Sequence, residues 1–159
     1  MPDNLIELLN RVKGNDLSDA FHASRQLGLL IERHRQNRYQ DLSYESLLSS
    51  EDLNELRLTD RVVEQLTAEL FSVFETYKDR ASLAVWPLGK TFNKSVVDRL
   101  LKFLERNWAE NDVVSSEILM TVYDDALLKN YSGLLEKIAK GGGEESRRLA
   151  RQRLQLGTT

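Results

Sequence analysis

Residue types that bind metal ions are scarce in this chain of 159 residues, which has no cysteine and only two histidines, His22 and His34. On one helix their spacing of twelve residues, at about 100° per residue, leaves them about 120° apart. Two side chains so placed cannot share one ion, and no other histidine or cysteine exists to complete a site. We therefore expect neither a metal ion nor another cofactor.

The adjacent carboxylates Asp124 and Asp125 are the closest approach to an acid–base pair. Neighbouring side chains on a helix point about 100° apart, whereas general acid–base catalysis needs two converging groups. The sequence contains no nucleophile elbow, phosphate-binding glycine loop or zinc-protease motif. These observations favour a binding protein over an enzyme, with the two aspartates on a solvated or partner-facing acidic edge.

Two segments near the C-terminus have the residue types that bind phosphate. Gly141-Gly142-Gly143 precedes a predicted helix N-terminus, but Glu144 and Glu145 occupy its first turn and would repel an anion. The triplet is therefore interpreted as a flexible turn between helices. The following helix carries a basic patch of Arg147, Arg148 and Arg151. Nearby acids and a net charge of −3 offset it, so nucleic-acid binding is the less favoured alternative.

The elements that must position these residues are predicted to be helices. Apolar residues recur three or four positions apart through most of the chain, and no alternating segment is long enough for a strand. The fold class is therefore all-α. The first predicted helix follows Asp3 and stops at Gly14, the second runs from Leu17 to Gln36, and one or two short helices start at Ser43 and Ser50. The next helix follows Thr59 or Asp60, and another starts at Asp79 and contains Pro87. The last four follow Asn93 to Trp108, follow Asn111 or Asp112 to Ala126, start at Ser132, and run from Glu144 to Leu156.

The middle segment, residues 37–58, has a looser pattern. Its leucines still recur at helical spacing, which a solvated linker would not need. We therefore predict an ordered helical insertion that packs on the first helix pairs through Leu47, Leu48, Leu53 and Leu56.

Four stretches share one plan: an apolar helix, a short polar turn, and a second helix rich in small residues. They are Leu5–Leu30, Glu69–Lys90, Leu100–Tyr123 and Leu134–Gly157. Three second helices contain a Leu-Gly dipeptide near their end, whereas the third has Met120-Thr121-Val122-Tyr123 there. The Leu-Gly dipeptides are Leu27-Gly28, Leu88-Gly89 and Leu156-Gly157.

This plan resembles HEAT repeats. The resemblance implies a single domain over residues 1–159, with about four helix pairs stacked as a short right-handed α-solenoid. The alternative from the same pattern is an irregular helical bundle. In HEAT arrays the second helix of each pair lines a concave binding face, which makes its polar and aromatic residues the first candidates for an interface. The predicted interface consists of Trp86, Lys90, Glu117, Thr121, Tyr123, Asp124 and Asp125.

Glu117, Thr121, Asp124 and Asp125 would form one polar stripe on a continuous helix, which suits a partner with a basic surface. We therefore predict a protein-binding module. Its size, acidity and helical content also resemble bacterial immunity proteins, which neutralise a toxin by stoichiometric binding. The alternatives are a nucleic-acid-binding HEAT-like module and a helical subunit of a larger complex. The absence of a leader or a long apolar segment predicts a cytoplasmic protein without a membrane span.

Overall fold

A computed structural model describes residues 1–35, 48 and 50–157 of the chain. Within these residues the secondary structure is helical and contains no strand, which confirms the all-α prediction. The helices are α1 (Asp3–Lys13), α2 (Leu17–Arg35), α3 (Glu51–Glu55), α4 (Asp60–Thr76), α5 (Ala81–Gly89), α6 (Lys94–Asn107), α7 (Asp112–Thr121), α8 (Asp124–Asn130), α9 (Ser132–Gly141) and α10 (Glu144–Gly157).

The first of two compact units, Met1–Phe92, contains α1 to α5. Helix α1 packs on α2, α4 packs on α5, and α2 and α5 pack on each other. Apolar residues at helical spacing fill the core between them, because each amphipathic helix must bury its apolar stripe. Fully buried members include Leu5, Leu27, Ile31, Leu66 and Leu88.

The second unit, Asn93–Thr159, contains α6 to α10. Helix α6 packs on α7, α9 packs on α10, and α7 and α10 pack on each other. The packing therefore follows the same order as in the first unit, with the second helices of two successive pairs in contact. Fully buried core residues include Leu100, Leu104, Ile118, Leu135 and Ala150.

Four predicted helix starts are confirmed by side-chain caps. Ser50, Thr59, Asn93 and Asn111 each accept a hydrogen bond from a backbone N–H in the first turn of the helix that follows. These are the residue types that best satisfy the unpaired N–H groups at a helix N-terminus. The choices left open between neighbouring residues are thereby decided in favour of Thr59 and Asn111.

Two other predicted helix starts are wrong. Helix α1 begins at Asp3 itself, and Pro2 precedes it without a side-chain cap. Helix α5 begins only at Ala81. The Asp79 carboxylate accepts a hydrogen bond from Arg80 at 2.8 Å instead of capping the helix.

The prediction for the middle segment is confirmed in part. Leu48 and Leu53 are buried, whereas Leu56 is half-buried. The predicted helix start at Ser43 and the predicted packing of Leu47 lie outside the described residues. Helix α3 therefore belongs to the first unit and contributes to its core.

Candidate functional site

Two predicted interface residues, Trp86 and Lys90, lie in a cluster of aromatic and cationic side chains on α2 and α5. The Arg25 guanidinium carbon lies 4.2 Å from the ring centroid of Trp86 and 4.8 Å from that of Phe21. The Lys90 Nζ lies 4.8 Å from the Trp86 ring centroid. We call Phe21, Arg25, Trp86 and Lys90 the Trp86 cluster. Its side chains are half-buried or exposed, so a partner can reach them.

A column of small buried residues on α2 lets α5 approach closely enough to form this cluster. Ala20, Ser24 and Gly28 follow one another at four-residue spacing and are all buried. A Cβ added to Gly28 would lie only 2.2 Å from Cζ3 of the Trp86 indole. The indole therefore occupies the space that any side chain at position 28 would need. Helix α2 begins at Leu17, as predicted, and continues past Leu27-Gly28 to Arg35.

Pro87 is accommodated inside α5 by a hydrogen bond from α2. A proline has no N–H, so the carbonyl four residues earlier, that of Leu83, loses its helical donor. The buried Ser24 hydroxyl donates to this Leu83 oxygen. The same contact fixes α5 against α2 three residues before Trp86, and α5 ends at Gly89, soon after the proline.

The two cations of the Trp86 cluster differ in their electrostatic partners. Lys90 Nζ forms an ion pair with Glu32 of α2 at 3.2 Å. Within the part of the chain that the structure describes, Arg25 contacts the two aromatic rings but forms no hydrogen bond or ion pair. With respect to the residues that the structure describes, the cluster therefore presents one uncompensated positive charge beside two aromatic rings.

The predicted polar stripe on one continuous helix is wrong. Helix α7 ends at Thr121, and Asp124 and Asp125 begin the separate helix α8. Val122 and Tyr123 between them have extended backbone, with ψ angles of 130° and 151°. The i, i+4, i+7, i+8 spacing therefore no longer places these side chains on one face.

Arg153 of α10 helps to explain where α7 ends. In a continuous helix, the carbonyls of Leu119 and Met120 would accept N–H groups from the residues four positions later. Here the Arg153 guanidinium donates to both, at 3.0 Å and 3.4 Å. The contact of Arg153 with α7 thus provides hydrogen-bond donors for carbonyl oxygens that lack a helical N–H partner because α7 ends.

The remaining predicted interface residues differ in accessibility. Tyr123 and Asp125 are exposed, and Glu117 is half-buried. The Thr121 hydroxyl oxygen is buried and has no hydrogen-bond partner among the described residues, so it does not point to solvent as the prediction required. The Asp124 side chain lies outside the described part of the chain.

The predicted basic patch on α10 is partly neutralised. Arg148 donates to the Glu145 carboxylate in a bidentate pair, which raises the pKa of Arg148 and lowers the pKa of Glu145. Arg148 lines a shallow depression on the surface, and Arg147, Arg151 and Glu144 line it too. Two acidic residues therefore lie among the three arginines, in line with the charge balance of the sequence.

The N-terminus of α10, which a phosphate could in principle occupy, holds the Asp112 carboxylate. Asp112 accepts hydrogen bonds from the backbone N–H groups of Glu145 at 3.2 Å and Ser146 at 3.0 Å. Its hydrogen bonds with Ser146 contribute most to lowering its pKa. A Cβ on Gly143 would lie 2.3 Å from the carboxylate carbon, so this turn needs glycine for close approach.

Sequence reasoning missed Phe21 and the role of Arg25. Phe21 lies outside the buried stripe of α2 and is 48% exposed, which is unusual for a phenylalanine. An exposed aromatic residue four positions before an arginine was the available signal. The contact of Arg25 with Trp86 depends on the packing of α2 and α5 and has no local signature.

No protein-family model, curated protein or solved structure matches the chain significantly. None of the described helices has the length and apolar character needed to cross a membrane. Among the described residues, no group of three or more histidine, aspartate or glutamate side chains is placed to hold a metal ion.

Gly28→Ala is expected to displace the Trp86 indole without unfolding the first unit. The new methyl group would overlap the ring, whereas alanine favours a helix over glycine by about 1 kcal/mol. In a Trp108→Phe background, in which Trp86 is the only tryptophan, the emission maximum should move to the red. Gly133→Ala is the matched control, because nothing lies within 4 Å of its added Cβ. Unchanged emission in Gly28→Ala would contradict the close packing.

Proposed function

We propose that this chain is a protein-binding module whose interface is centred on the Trp86 cluster. The observation that carries the proposal is the grouping of a half-buried tryptophan, a phenylalanine and an arginine on one accessible face. Trp and Arg are among the residues that contribute most to protein–protein binding energy, and they do so from partly enclosed positions. Phe21 and the exposed Leu17 extend the apolar part of this face along α2.

The helix packing supports a HEAT-like architecture as part of the proposal. In each unit, two sequence-adjacent pairs pack through their second helices, α2 with α5 and α7 with α10. Helix α1 also contacts α4, as stacked first helices would. Arrays built in this way use their second helices for binding, and the Trp86 cluster lies on two of them.

A role as an immunity protein is a narrower form of the same proposal. Stoichiometric neutralisation of a toxin would use a binding surface without catalysis. A toxin reading frame directly upstream of the gene would support this form. The predicted basic partner remains a proposal for the second unit, where Tyr123, which precedes α8, and Asp125 of α8 are exposed.

Site-specific photocrosslinking in the native host tests the proposed interface. A benzophenone amino acid at position 21 should give a discrete adduct of constant mass with a partner protein. At position 65, where an exposed glutamine lies on α4 of the same unit, it should give none. Removing the anchor by Trp86→Ala should abolish the adduct from position 21, because the central ring of the cluster is lost.

The control for misfolding is the circular dichroism spectrum and thermal midpoint of each labelled variant. Equal adducts from positions 21 and 65, or an adduct from position 21 that persists in Trp86→Ala, would contradict the placement of the interface. Absence of any adduct from position 21 would also contradict it.

A further inference from the structure

We propose that the Trp86 cluster recognises an acidic, partly apolar segment of its partner protein, with Arg25 binding a partner carboxylate. The inference rests on the proposed function and adds the chemistry of the partner. It differs from the expectation of a basic partner, which came from the acidic residues of the second unit. Arg25 carries the argument, because it is the charged member of the cluster without an acidic partner among the described residues.

The contacts of Arg25 leave its hydrogen-bonding capacity available. A guanidinium can contact aromatic rings through its flat face and still donate several N–H groups to a carboxylate. The central carbon of Arg25 lies 4.2 Å from the Trp86 ring centroid and 4.8 Å from that of Phe21, so the side chain contacts both rings. This restricts the side chain before binding, so less rotamer entropy is lost when a carboxylate binds.

The surroundings of Arg25 favour a protein segment over a nucleic acid. Lys90 is already paired with Glu32, so among the described residues the cluster offers one free cation, whereas a phosphate backbone requires several. Leu17 and Phe21 precede Arg25 at four-residue spacing on α2, and they are 61% and 48% exposed. A segment with an apolar side chain about one helical turn from a carboxylate would match this face.

The chemistry of the partner can be read by selecting short peptides from a random library on the wild-type protein. Of the selected peptides, only those that fail to bind the Gly28→Ala variant are retained for study, because that substitution displaces the Trp86 ring. We expect the retained peptides to be enriched in aspartate or glutamate near leucine or an aromatic residue. Replacing those acids with asparagine or glutamine should weaken binding about tenfold or more, as expected for a lost charge-assisted hydrogen bond.

The matched protein variants are Arg25→Gln and Arg61→Gln, which remove the same charge from the same unit. Arg61 is exposed on α4 and lies outside the cluster. Arg25→Gln should weaken the acidic peptides about tenfold, and Arg61→Gln should leave their affinity nearly unchanged.

Four outcomes would overturn the inference. The first two are retained peptides that bind equally well without their carboxylates, and an equal effect of the two arginine variants. The other two are tighter Arg25-dependent binding of a single-stranded oligonucleotide, and a selection that yields no Gly28-dependent peptide. The photocrosslink from position 21 tests the proposed function independently, because its formation does not require an acidic partner.

Discussion

Asp112→Ala is expected to destabilise the second unit by about 2–3 kcal/mol, because it removes the cap of α10. The wild-type carboxylate accepts the N–H groups of Glu145 and Ser146. Alanine leaves both donors unsatisfied at the N-terminus of a helix that packs on α7 and α9. Chemical denaturation monitored by circular dichroism, with amide exchange of α10, measures the loss.

The same carboxylate should make the stability of the second unit depend on pH. The folded-state pKa of Asp112 lies below that of an unfolded aspartate, about 3.9. Its contribution is therefore fully present above about pH 4 to 5 and is lost as the pH falls through the folded-state pKa. Asp112→Asn removes this titratable group. The free energy of unfolding of the variant should therefore fall less than that of the wild type as the pH is lowered from 5.

Asp125→Asn is the matched control, since it removes an exposed aspartate from the same unit. Gly143→Ala should resemble Asp112→Ala in effect, because its methyl group would overlap the capping carboxylate. A stability of Asp112→Ala within about 0.5 kcal/mol of the wild type would show that water or another group caps α10 equally well.

Arg33→Met is expected to destabilise the first unit by about 3 kcal/mol, which makes it the second large effect. The Arg33 side chain is only 1% exposed and donates to the backbone carbonyls of Asn54 at 3.0 Å and Leu53 at 3.2 Å, and also to that of Leu56. These carbonyls lie at the C-terminal end of the short helix α3. Methionine is also unbranched at Cβ but has no N–H group, so these carbonyls would lose the donors that Arg33 provides.

The effect of Arg33→Met should be concentrated in α3. Amide exchange of Leu53 and its neighbours should accelerate more than that of α1 or α2. Arg35→Met provides the control, since Arg35 lies on the same helix but is exposed. Equal stabilities for the two variants would contradict the assignment of Arg33 as the residue that fixes α3.

The sequence by itself determined most of the helices and most of their starts. Ser50, Thr59, Asn93 and Asn111 were identifiable as caps because each bonds to an N–H two or three residues later. The apolar spacing identified the buried side of most helices for a similar reason, since it depends only on the geometry of one helix. Both signals involve residues that are close together in the sequence, so they can be recognised from the sequence alone.

Only the tertiary structure decided the features on which the proposed site depends. Helix α7 ends at Thr121, where Arg153 of another helix donates hydrogen bonds to the last carbonyls of α7. The Trp86 cluster exists because small residues of α2 admit the indole of α5. In both cases the interacting atoms are far apart in sequence, so their meeting depends on helix packing and has no repeating pattern along the chain.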